Sequence, residues 1–230
     1  MKKYNVTGII LAGGIGSRMS SNVTKQLIEL RGQTVLLRSA LAFDNCSDID
    51  RIIVVAREEE SEYISSELKT NLNKPFLVVT GGKTRAESAI NGFMADELQS
   101  EYVAIHDAAR CLITPGQISS VVAAAKEFGA ASAVTGVTDT LKMADDEMFI
   151  SATLPRAKVY RAQTPQVFKS DIYSRAISSF DRELSVLTDD NMLVEALGEK
   201  IRCVDIGPLN IKITTMDDIL LADAILKKRG

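Results

Sequence analysis

The chain has 230 residues, of which 46% are hydrophobic and 25% are charged, and its formal net charge is −3. This length suits one domain of generous size with a substantial core. The small net charge argues against a global attraction to nucleic acid or anionic membranes, so an anionic ligand would require a local basic site. The sequence has no run of about 18 apolar residues, which argues against a transmembrane helix.

The cysteines and the N-terminal segment indicate the compartment. Cys46, Cys111 and Cys203 are far apart and show no CxxC spacing, which argues against a zinc site or a disulfide framework. Reduced thiols are typical of the cytosol. The apolar run after the basic start is too short for a secretory signal. We therefore expect a cytoplasmic protein with neither a nucleic-acid nor a membrane partner.

The first 140 residues alternate between two patterns. Short apolar runs predict β-strands at 5–12, 51–56, 76–80, 102–106 and 130–137. Amphipathic patterns predict helices at 58–72, 84–98 and 114–129, with Thr84 and Glu87 in capping-box spacing and Thr114 before Pro115. The alternation predicts a Rossmann-like α/β fold, in which helices cover both faces of a mostly parallel sheet.

The segment 139–156 breaks this rhythm, because it is polar and acidic around "ADDE". We interpret 138–156 as a protruding β-arm, with a surface loop as the alternative. Further helices are expected at 169–182, at 189–197 and from about 216, where Thr215 and Asp218 stand in capping-box spacing. Strands are expected at 201–206 and 210–214. Without repeats or linkers, residues 1–230 form one predicted domain.

The stretch "LAGGIGSRM" (11–19) follows the first strand. Gly13, Gly14 and Gly16 allow a tight turn that offers backbone N–H groups to phosphate oxygens. The stretch matches neither the P-loop nor the GxGxxG fingerprint, which argues against a dinucleotide-dependent oxidoreductase. Arg18 and Lys25 add two cations, so a triphosphate site is favoured over an ordinary glycine-rich turn.

A second glycine-rich turn, "GGKTRAES" (81–88), leads into a helix whose first turn would hold Arg85 and Ser88. The positive end of the helix dipole would face this loop. Both glycine-rich loops follow predicted strands, and ligands bind at the carboxyl ends of strands in open α/β sheets.

The segment "IHDAAR" contains the only histidine of the chain. Asp107 follows the strand 102–106, where an acid commonly holds a divalent cation beside phosphates. A purely structural Asp107, which caps a turn or pairs with Arg110, is the alternative. For His106 we expect a packed, hydrogen-bonded residue instead of a catalytic one.

Four more segments complete a series: "DTLK" (139–142), "RAQTPQVF" (161–168), "TDDNMLVEALG" (188–198) and "NIKITTMDD" (210–218). Taken in order from residue 11 to 218, the motifs resemble those of the 2-C-methyl-D-erythritol 4-phosphate cytidylyltransferases. Thr24 and Cys111 stand where that family usually has proline. Gly13 replaces a common alanine, as in the sister family of ribitol 5-phosphate cytidylyltransferases, which stays the alternative.

The resemblance implies a nucleotidyltransferase fold and a reaction in which CTP and a polyol phosphate give a CDP-polyol and pyrophosphate with Mg²⁺. It also implies a homodimer whose arm reaches into the neighbour's site. The implied catalytic cations are Arg18, Lys25 and Lys212. Asp107 matches the Mg²⁺ ligand of the family. The implied nucleotide-binding residues are Ala12, Gly13, Gly14, Gly16, Gly82 and Ser88. Those implied around the polyol phosphate are Arg110, Thr140, Arg156, Thr164 and Thr188, with Thr140 and Arg156 serving the partner's site.

Overall fold

The computed structural model describes residues 4–14, 24–96 and 100–229. Its strands are β1 (Val6–Leu11), β2 (Glu29–Leu30), β3 (Gln33–Thr34), β4 (Arg51–Ala56), β5 (Phe76–Thr80), β6 (Tyr102–Asp107), β7 (Ala130–Gly136), β8 (Lys142–Ala144), β9 (Ile150–Thr153), β10 (Tyr160–Lys169) and β11 (Arg202–Asp205). Its α-helices are α1 (Val35–Asp44), α2 (Ser61–Asn71), α3 (Arg85–Met94), α4 (Pro115–Phe128), α5 (Ser170–Ser179), α6 (Asn191–Ala196) and α7 (Met216–Arg229).

Seven strands form one sheet in the order β11-β7-β10-β6-β1-β4-β5. Six of them run parallel, and β10 runs antiparallel to both of its neighbours. The predicted mostly parallel α/β sheet is confirmed. The carboxyl ends of β1, β4, β5 and β6 therefore meet at one edge of the sheet.

Helices cover both faces of the sheet, as predicted. Apolar side chains of α1, α2 and α4 form one buried cluster against the first face. Those of α3, α5 and α6 form a second cluster against the other face. A smaller cluster joins α7 to β2 and α1, and it includes Cys111. The sheet strands are apolar on both sides because both sides are covered.

Strand β10 was not predicted as a strand, although its "QTPQ" motif was noted. Its direction matters for the site, because an antiparallel strand brings its beginning to the edge where parallel strands end. Gln166 pairs with Ile105 across the ladder, so Thr164 lies beside Asp107. The register with β7 shifts between Ala162 and Gln166.

Several other elements differ from the sequence-based expectations. Helix α1 and the β2–β3 hairpin were not predicted. The predicted strand at 210–214 is wrong. This segment pairs with no strand of the described chain. It is held by isolated hydrogen bonds, such as the one from the Ile213 N–H to the Ala109 carbonyl (2.8 Å).

Helix starts follow the predicted caps with one difference. The Thr84 hydroxyl accepts the Glu87 N–H, but the Glu87 carboxylate accepts the Lys83 N–H (2.6 Å) instead of that of Thr84. The reciprocal box is complete at Thr114 with Gln117. Thr215 and Asp218 also bond reciprocally at the start of α7.

The segment predicted as an arm contains a hairpin, formed by β8 and β9. The residues between β8 and β9 form its turn. There, the Asp145 carboxylate accepts the Glu147 and Phe149 N–H groups. The hairpin pairs with no strand of the main sheet. Among the helices described, none is long and apolar enough to cross a membrane.

Candidate active site

The first glycine-rich loop leaves β1 and is held by a glutamine. The Gln26 amide donates to the carbonyl of Gly14 (2.9 Å) and to that of Ala12. Gln26 is 1% exposed and follows Lys25 in a short 3₁₀ helix, Lys25–Leu27. Gly16 and Arg18 lie outside the described residues, and of Lys25 only the backbone is described.

Thr24, which replaces the usual proline, keeps a proline-like backbone. Its φ is −65° and its ψ is 141°. Proline fixes φ near −65°, so threonine adopts here the conformation that proline would impose. The departure from the family pattern therefore leaves the backbone path before Lys25 unchanged at this residue.

The second glycine-rich loop is fixed by the helix that it precedes. The Ser88 hydroxyl accepts the Gly82 N–H (3.1 Å) and donates to the Thr84 carbonyl (2.9 Å). A Cβ on Gly82 would lie 2.3 Å from the Cβ of Glu87, so only glycine fits. The loop thus lies directly against the positive end of α3.

Asp107 is the last residue of β6 and the centre of an ion-pair cluster. Its Oδ1 accepts Nε of Arg85 (3.0 Å) and its Oδ2 accepts Nζ of Lys212 (2.8 Å). Arg110 Nε is farther from Oδ2, at 4.0 Å. Burial opposes the charge of the carboxylate, but Arg85 and then Lys212 lower the pKa of Asp107 well below its usual range.

Arg110 reaches across the site instead of pairing closely with Asp107. Its guanidinium donates to the carbonyls of Asn210 (3.0 Å) and Ala162 (3.3 Å). Asn210 in turn donates to the Thr164 carbonyl (2.9 Å). Burial lowers the pKa of Arg110, which nevertheless stays a cation at neutral pH.

His106 is a packing residue, as expected. It is fully buried, and its ring centroid lies 5.2 Å from that of Phe43. Thr164 Oγ1 accepts the Asp107 N–H and lies 3.0 Å from His106 Nδ1, while His106 Nε2 lies 3.3 Å from the Arg110 carbonyl. This pattern fits a neutral imidazole with the proton on Nε2. Burial lowers the pKa of His106 to about 4.

Two adjoining hollows meet at the Asp107 cluster. A cleft of about 430 Å³ lies between the glycine-rich loops. A smaller pocket of about 160 Å³ lies between β6, β10 and the 188–190 turn. We call the first the cleft and the second, after the substrate that the resemblance implies there, the acceptor pocket. Arg85, Asp107 and Lys212 line both, so they form the wall where the two hollows meet.

The residues that the resemblance implies for the nucleotide and for the polyol phosphate lie mostly at different hollows. Gly13, Gly14, Gly82 and Ser88 line the cleft, whereas Arg110, Thr164 and Thr188 line the acceptor pocket. Ala12 is buried behind the first loop and lines neither hollow. Thr140 and Arg156 lie near the two ends of the arm and line neither hollow of this chain. There, Arg156 donates to the Thr138 carbonyl (2.7 Å).

The charge of the cleft suits a polyanion. Four basic residues line it, together with Asp107 as the one acid among the described lining residues: Arg57, Lys83, Arg85 and Lys212. A chain with net negative charge thus concentrates positive charge at this edge.

Sequence reasoning missed three contributors. Arg85 was noted in its motif but not selected as a site residue, although it belongs to the shared wall. Gln26 and Asp190 were not selected either. Their placement beside the glycine-rich loop and beside Arg85 depends on contacts that the local pattern does not reveal. The available signal was their position in the motifs, since Gln26 directly follows Lys25 and Asp190 comes two residues after Thr188.

Cys111 has a packing role at its position. It is 4% exposed, lies in the cluster with Leu30, Val35 and Ala222, and burial raises the pKa of its thiol to about 11. A protonated thiol in apolar surroundings behaves as a small hydrophobic side chain. The side chain next to Arg110 therefore secures α7 against the core.

Known proteins match this chain over nearly its full length. The model of the 2-C-methyl-D-erythritol 4-phosphate cytidylyltransferase family (IspD) matches residues 6–228. A protein of that name from Caldanaerobacter subterraneus subsp. tengcongensis is 39% identical over 226 residues, covering 97% of this chain and all of that protein. Another from Desulforamulus reducens is 38% identical over 228 residues, covering 98% and 97%.

Solved structures agree with the sequence matches. The crystal structure of 4-diphosphocytidyl-2C-methyl-D-erythritol synthase from Anaerococcus prevotii superposes with a TM-score of 0.85 at 31% identity, covering 97% of this chain and 96% of that one. The 2-C-methyl-D-erythritol 4-phosphate cytidylyltransferase from Thermus thermophilus gives a TM-score of 0.76 at 26% identity, covering 98% and 100%. The predicted resemblance and fold are thereby confirmed.

Proposed function

The chain belongs to the 2-C-methyl-D-erythritol 4-phosphate cytidylyltransferase family, and we propose that it transfers CMP from CTP to 2-C-methyl-D-erythritol 4-phosphate. The products are CDP-methylerythritol, an intermediate of isoprenoid precursor biosynthesis, and pyrophosphate. One structural observation supports this proposed function most strongly. The cleft and the acceptor pocket share a cationic wall, so two phosphorylated substrates would meet there.

The chemistry requires no general base. The second pKa of a phosphomonoester is near ~6, so the acceptor phosphate is mostly a dianion at neutral pH and is ready to attack. A phosphate oxygen forms a new bond to the α-phosphorus of CTP, and the bond to the β-phosphate oxygen breaks. The buried, neutral His106 is consistent with this chemistry, because no proton has to be removed.

The remaining difficulty is charge repulsion between two polyanions. The protein has to hold them in line and stabilise charge on the equatorial oxygens and on the leaving pyrophosphate. Lys212 and Arg85 lie in the wall where the two hollows meet, so they would lie close to both substrates. Arg110 lies on the acceptor side, where its planar guanidinium suits a phosphate. Arg18 and Lys25 are the family's cations for the triphosphate.

Mg²⁺ is the proposed cofactor, and Asp107 is its proposed protein ligand. The described residues include no group of three or more candidate ligand side chains, so a closed protein cage is not formed by them. A single carboxylate fits, because Mg²⁺ at nucleotide sites commonly binds one or two carboxylates together with substrate phosphates. The lowered pKa keeps Asp107 ionised for this task. When bound, the ion would neutralise phosphate charge.

A homodimer is the proposed assembly, with the arm of each subunit at the partner's site. The arm exposes Met148 (83%), Phe149 (67%) and Ile150 (68%), and an exposed apolar run favours contact with another surface. Thr140 and Arg156, near the two ends of the arm, would then complete the partner's acceptor pocket. A cytoplasmic location is proposed from the buried free thiols Cys46 and Cys111 together with the family assignment.

Subunit mixing tests this assembly. An Arg156→Ala homodimer and a Lys212→Ala homodimer should each have low activity, because every site lacks one cation. Mixing them under exchange conditions should restore activity, since one site of each mixed dimer receives both residues. Mixtures that stay as inactive as their parents, despite proven subunit exchange, would contradict an arm that serves the partner's site.

A pyrophosphate-release assay tests the function. It crosses CTP, ATP, GTP and UTP with methylerythritol phosphate and ribitol 5-phosphate. We expect release with CTP and methylerythritol phosphate at a rate far above every other pair. Preference for ribitol phosphate would favour the sister activity, which the names of the matching proteins do not support. Tight CTP binding without release would indicate a non-catalytic nucleotide sensor.

A further inference from the structure

Arg85 in the shared wall is held by two carboxylates, of which one lines the hollows and the other does not. Its Nε donates to Asp107 Oδ1 (3.0 Å), and its Nη1 donates to Asp190 Oδ2 (2.7 Å). Asp107 lines both hollows, and its side chain is 11% exposed. Asp190 lines neither, and its side chain is only 1% exposed. Arg85 therefore has one partner that a substrate can reach and one that it cannot.

Asp190 is itself held by hydrogen bonds with Tyr173 and Gln166. The Tyr173 hydroxyl donates to Asp190 Oδ1 (2.7 Å), so each carboxylate oxygen has a separate donor. The Gln166 side-chain oxygen accepts the backbone N–H groups of Asp190 (2.9 Å) and Asn191 (3.2 Å). These bonds tie the 188–190 turn to β10 and determine where the carboxylate lies.

The aromatic core determines the position of Tyr173. Its ring is fully buried and stacks on Phe168, with centroids 5.3 Å apart, and it meets Phe93 edge-on at 5.1 Å. Burial and the neighbouring Asp190 raise the pKa of the Tyr173 hydroxyl well above its ordinary value, so it stays a donor. A continuous series of contacts thus leads from the core to the wall of the site.

We propose that Asp190, backed by Tyr173, is a positioning residue that holds the Arg85 guanidinium in the wall between the cleft and the acceptor pocket. This inference rests on the proposed function. When Asp107 exchanges its present partners for a metal ion or a substrate-bound group, the bond to Asp190 persists. Arg85 then keeps its place and directs a free N–H group to a phosphate oxygen.

The donor inventory of Arg85 supports this role. The guanidinium has five N–H donors in a rigid planar fork. Nε and Nη1 each donate to one carboxylate, and the side chain is still 26% exposed, so part of the fork faces the two hollows. The two carboxylates fix the orientation of the planar guanidinium, and this orientation determines where its remaining N–H groups point. Lysine lacks this geometry, so Arg85→Lys would keep the charge and lose the double anchoring.

A double-mutant cycle tests whether Asp190 acts through Arg85. We expect Arg85→Ala to lower kcat about a hundredfold, which is within the range for one electrostatic donor in a transition state. Asp190→Ala should lower kcat about tenfold. The double variant should be no slower than Arg85→Ala alone, because the anchor has nothing left to hold. Multiplying effects, near a thousandfold in the double variant, would overturn the proposal.

Binding of inorganic pyrophosphate in EDTA, followed by calorimetry, separates position from charge. Arg85→Ala should weaken binding about tenfold, since it removes a cation. Asp190→Ala should leave the affinity unchanged or tighter, because it removes a competing anion and keeps the cation. Equal weakening in both variants would overturn the positioning role. Lack of turnover in the wild-type protein would contradict the proposed function, while this binding comparison would still stand.

Conservative variants guard against loss of folding. Asp190→Asn keeps an oxygen that can accept from Arg85, so it should recover most of the turnover lost in Asp190→Ala. Tyr173→Phe keeps the stacked ring and should lower kcat severalfold. Tyr102→Phe removes a hydroxyl from another mostly buried tyrosine, at the opposite end of β6 from Asp107, and should leave kcat unchanged. An Asn variant as slow as the Ala variant, or a Tyr173→Phe variant with wild-type kcat, would contradict the anchor.

Discussion

The cleft and the acceptor pocket share a wall but are built in different ways. Two glycine-rich loops form the cleft, and each is encoded within about one short stretch of sequence. The acceptor pocket collects side chains from β6, β10, the 188–190 turn and Lys212, which are far apart in the chain. The cleft therefore combines the backbone geometry of two short loops with basic side chains, whereas the acceptor pocket depends on individual side chains from distant segments. Side-chain substitutions should consequently separate the two hollows.

Lys212→Ala should have the largest effect, because Lys212 belongs to both hollows. We expect kcat to fall roughly 10²- to 10³-fold, which is typical for the loss of one preorganised electrostatic group. Pyrophosphate release measures this effect. Lys126→Ala is a matched control, because Lys126 lies on α4, pairs with Asp48 and lines neither hollow. Near-normal turnover of a folded Lys212→Ala protein would break the idea of a shared cationic wall.

Asp107→Asn should act through the metal. The neutral amide is a weaker ligand for Mg²⁺ than a carboxylate, so half-maximal activity should need about tenfold or more magnesium. A magnesium titration of activity measures the shift. Asp48→Asn, which neutralises an acid paired with Lys126, serves as the control. Superimposable titrations for Asp107→Asn and the wild-type protein would count against Asp107 as the ligand.

Arg110→Ala should separate the hollows most clearly. Arg110 lines the acceptor pocket but not the cleft, so KM for the polyol phosphate should rise roughly 10- to 100-fold while KM for CTP changes little. This magnitude corresponds to one charge-assisted hydrogen bond of about 1.5–3 kcal/mol. Steady-state kinetics with each substrate varied in turn measures both constants. Arg175→Ala, at an exposed pair with Glu199, is the surface control.

Equal increases in both KM values for Arg110→Ala would show that the two hollows do not bind separate substrates. The variant also loses the bonds to the Asn210 and Ala162 carbonyls, so its thermal unfolding has to be recorded alongside. A loss of stability without a change in either KM would assign Arg110 to structure alone.

His106 should affect stability more than catalysis. Its pKa is lowered to about 4 in the folded protein, against about 6.5 in an unfolded chain. Below pH 6.5 the unfolded state binds a proton that the folded state excludes, so stability falls as the pH drops towards 4. Between pH 7 and 5 this linkage costs roughly 2 kcal/mol. Urea unfolding at the two pH values measures it.

His106→Asn should remove most of that pH-dependent loss and retain most of kcat at pH 7, apart from any folding cost. The variant has no imidazole to protonate, while the amide can still bond near Thr164. A thousandfold fall in kcat with intact stability would show that the imidazole takes part in the reaction. An unchanged slope of stability against pH would show that another group causes the acid sensitivity.

The difference between the hollows also explains what the sequence could predict. The parallel strands, the glycine-rich loops and the capped helices depend on local patterns, and these predictions were confirmed in β1, β4, β5 and β6. Strand β10 was missed because its polar "QTPQ" core lacks the alternation of a half-buried strand. The predicted strand at 210–214 was wrong because its apolar alternation serves packing against the 107–110 turn and α7.

The candidate site divides in the same way. The family resemblance implied one site for Gly82, Ser88, Thr164 and Lys212, and in the structure all four line the two hollows, while their roles stay predictions. Asp190 could not be predicted from the sequence, because its importance comes from a contact with Arg85, 105 residues away in the chain. Pairings of this range depend on strand order, which single motifs do not determine.

The most direct test of the account follows the oxygen atoms of the acceptor. Methylerythritol phosphate labelled with ¹⁸O in its phosphate group is incubated with CTP and Mg²⁺, and the products are analysed by mass spectrometry. Attack by the acceptor phosphate in the acceptor pocket predicts that all label is found in CDP-methylerythritol and none in pyrophosphate. Label in the released pyrophosphate, or CMP formed without a labelled diphosphate product, would contradict the account.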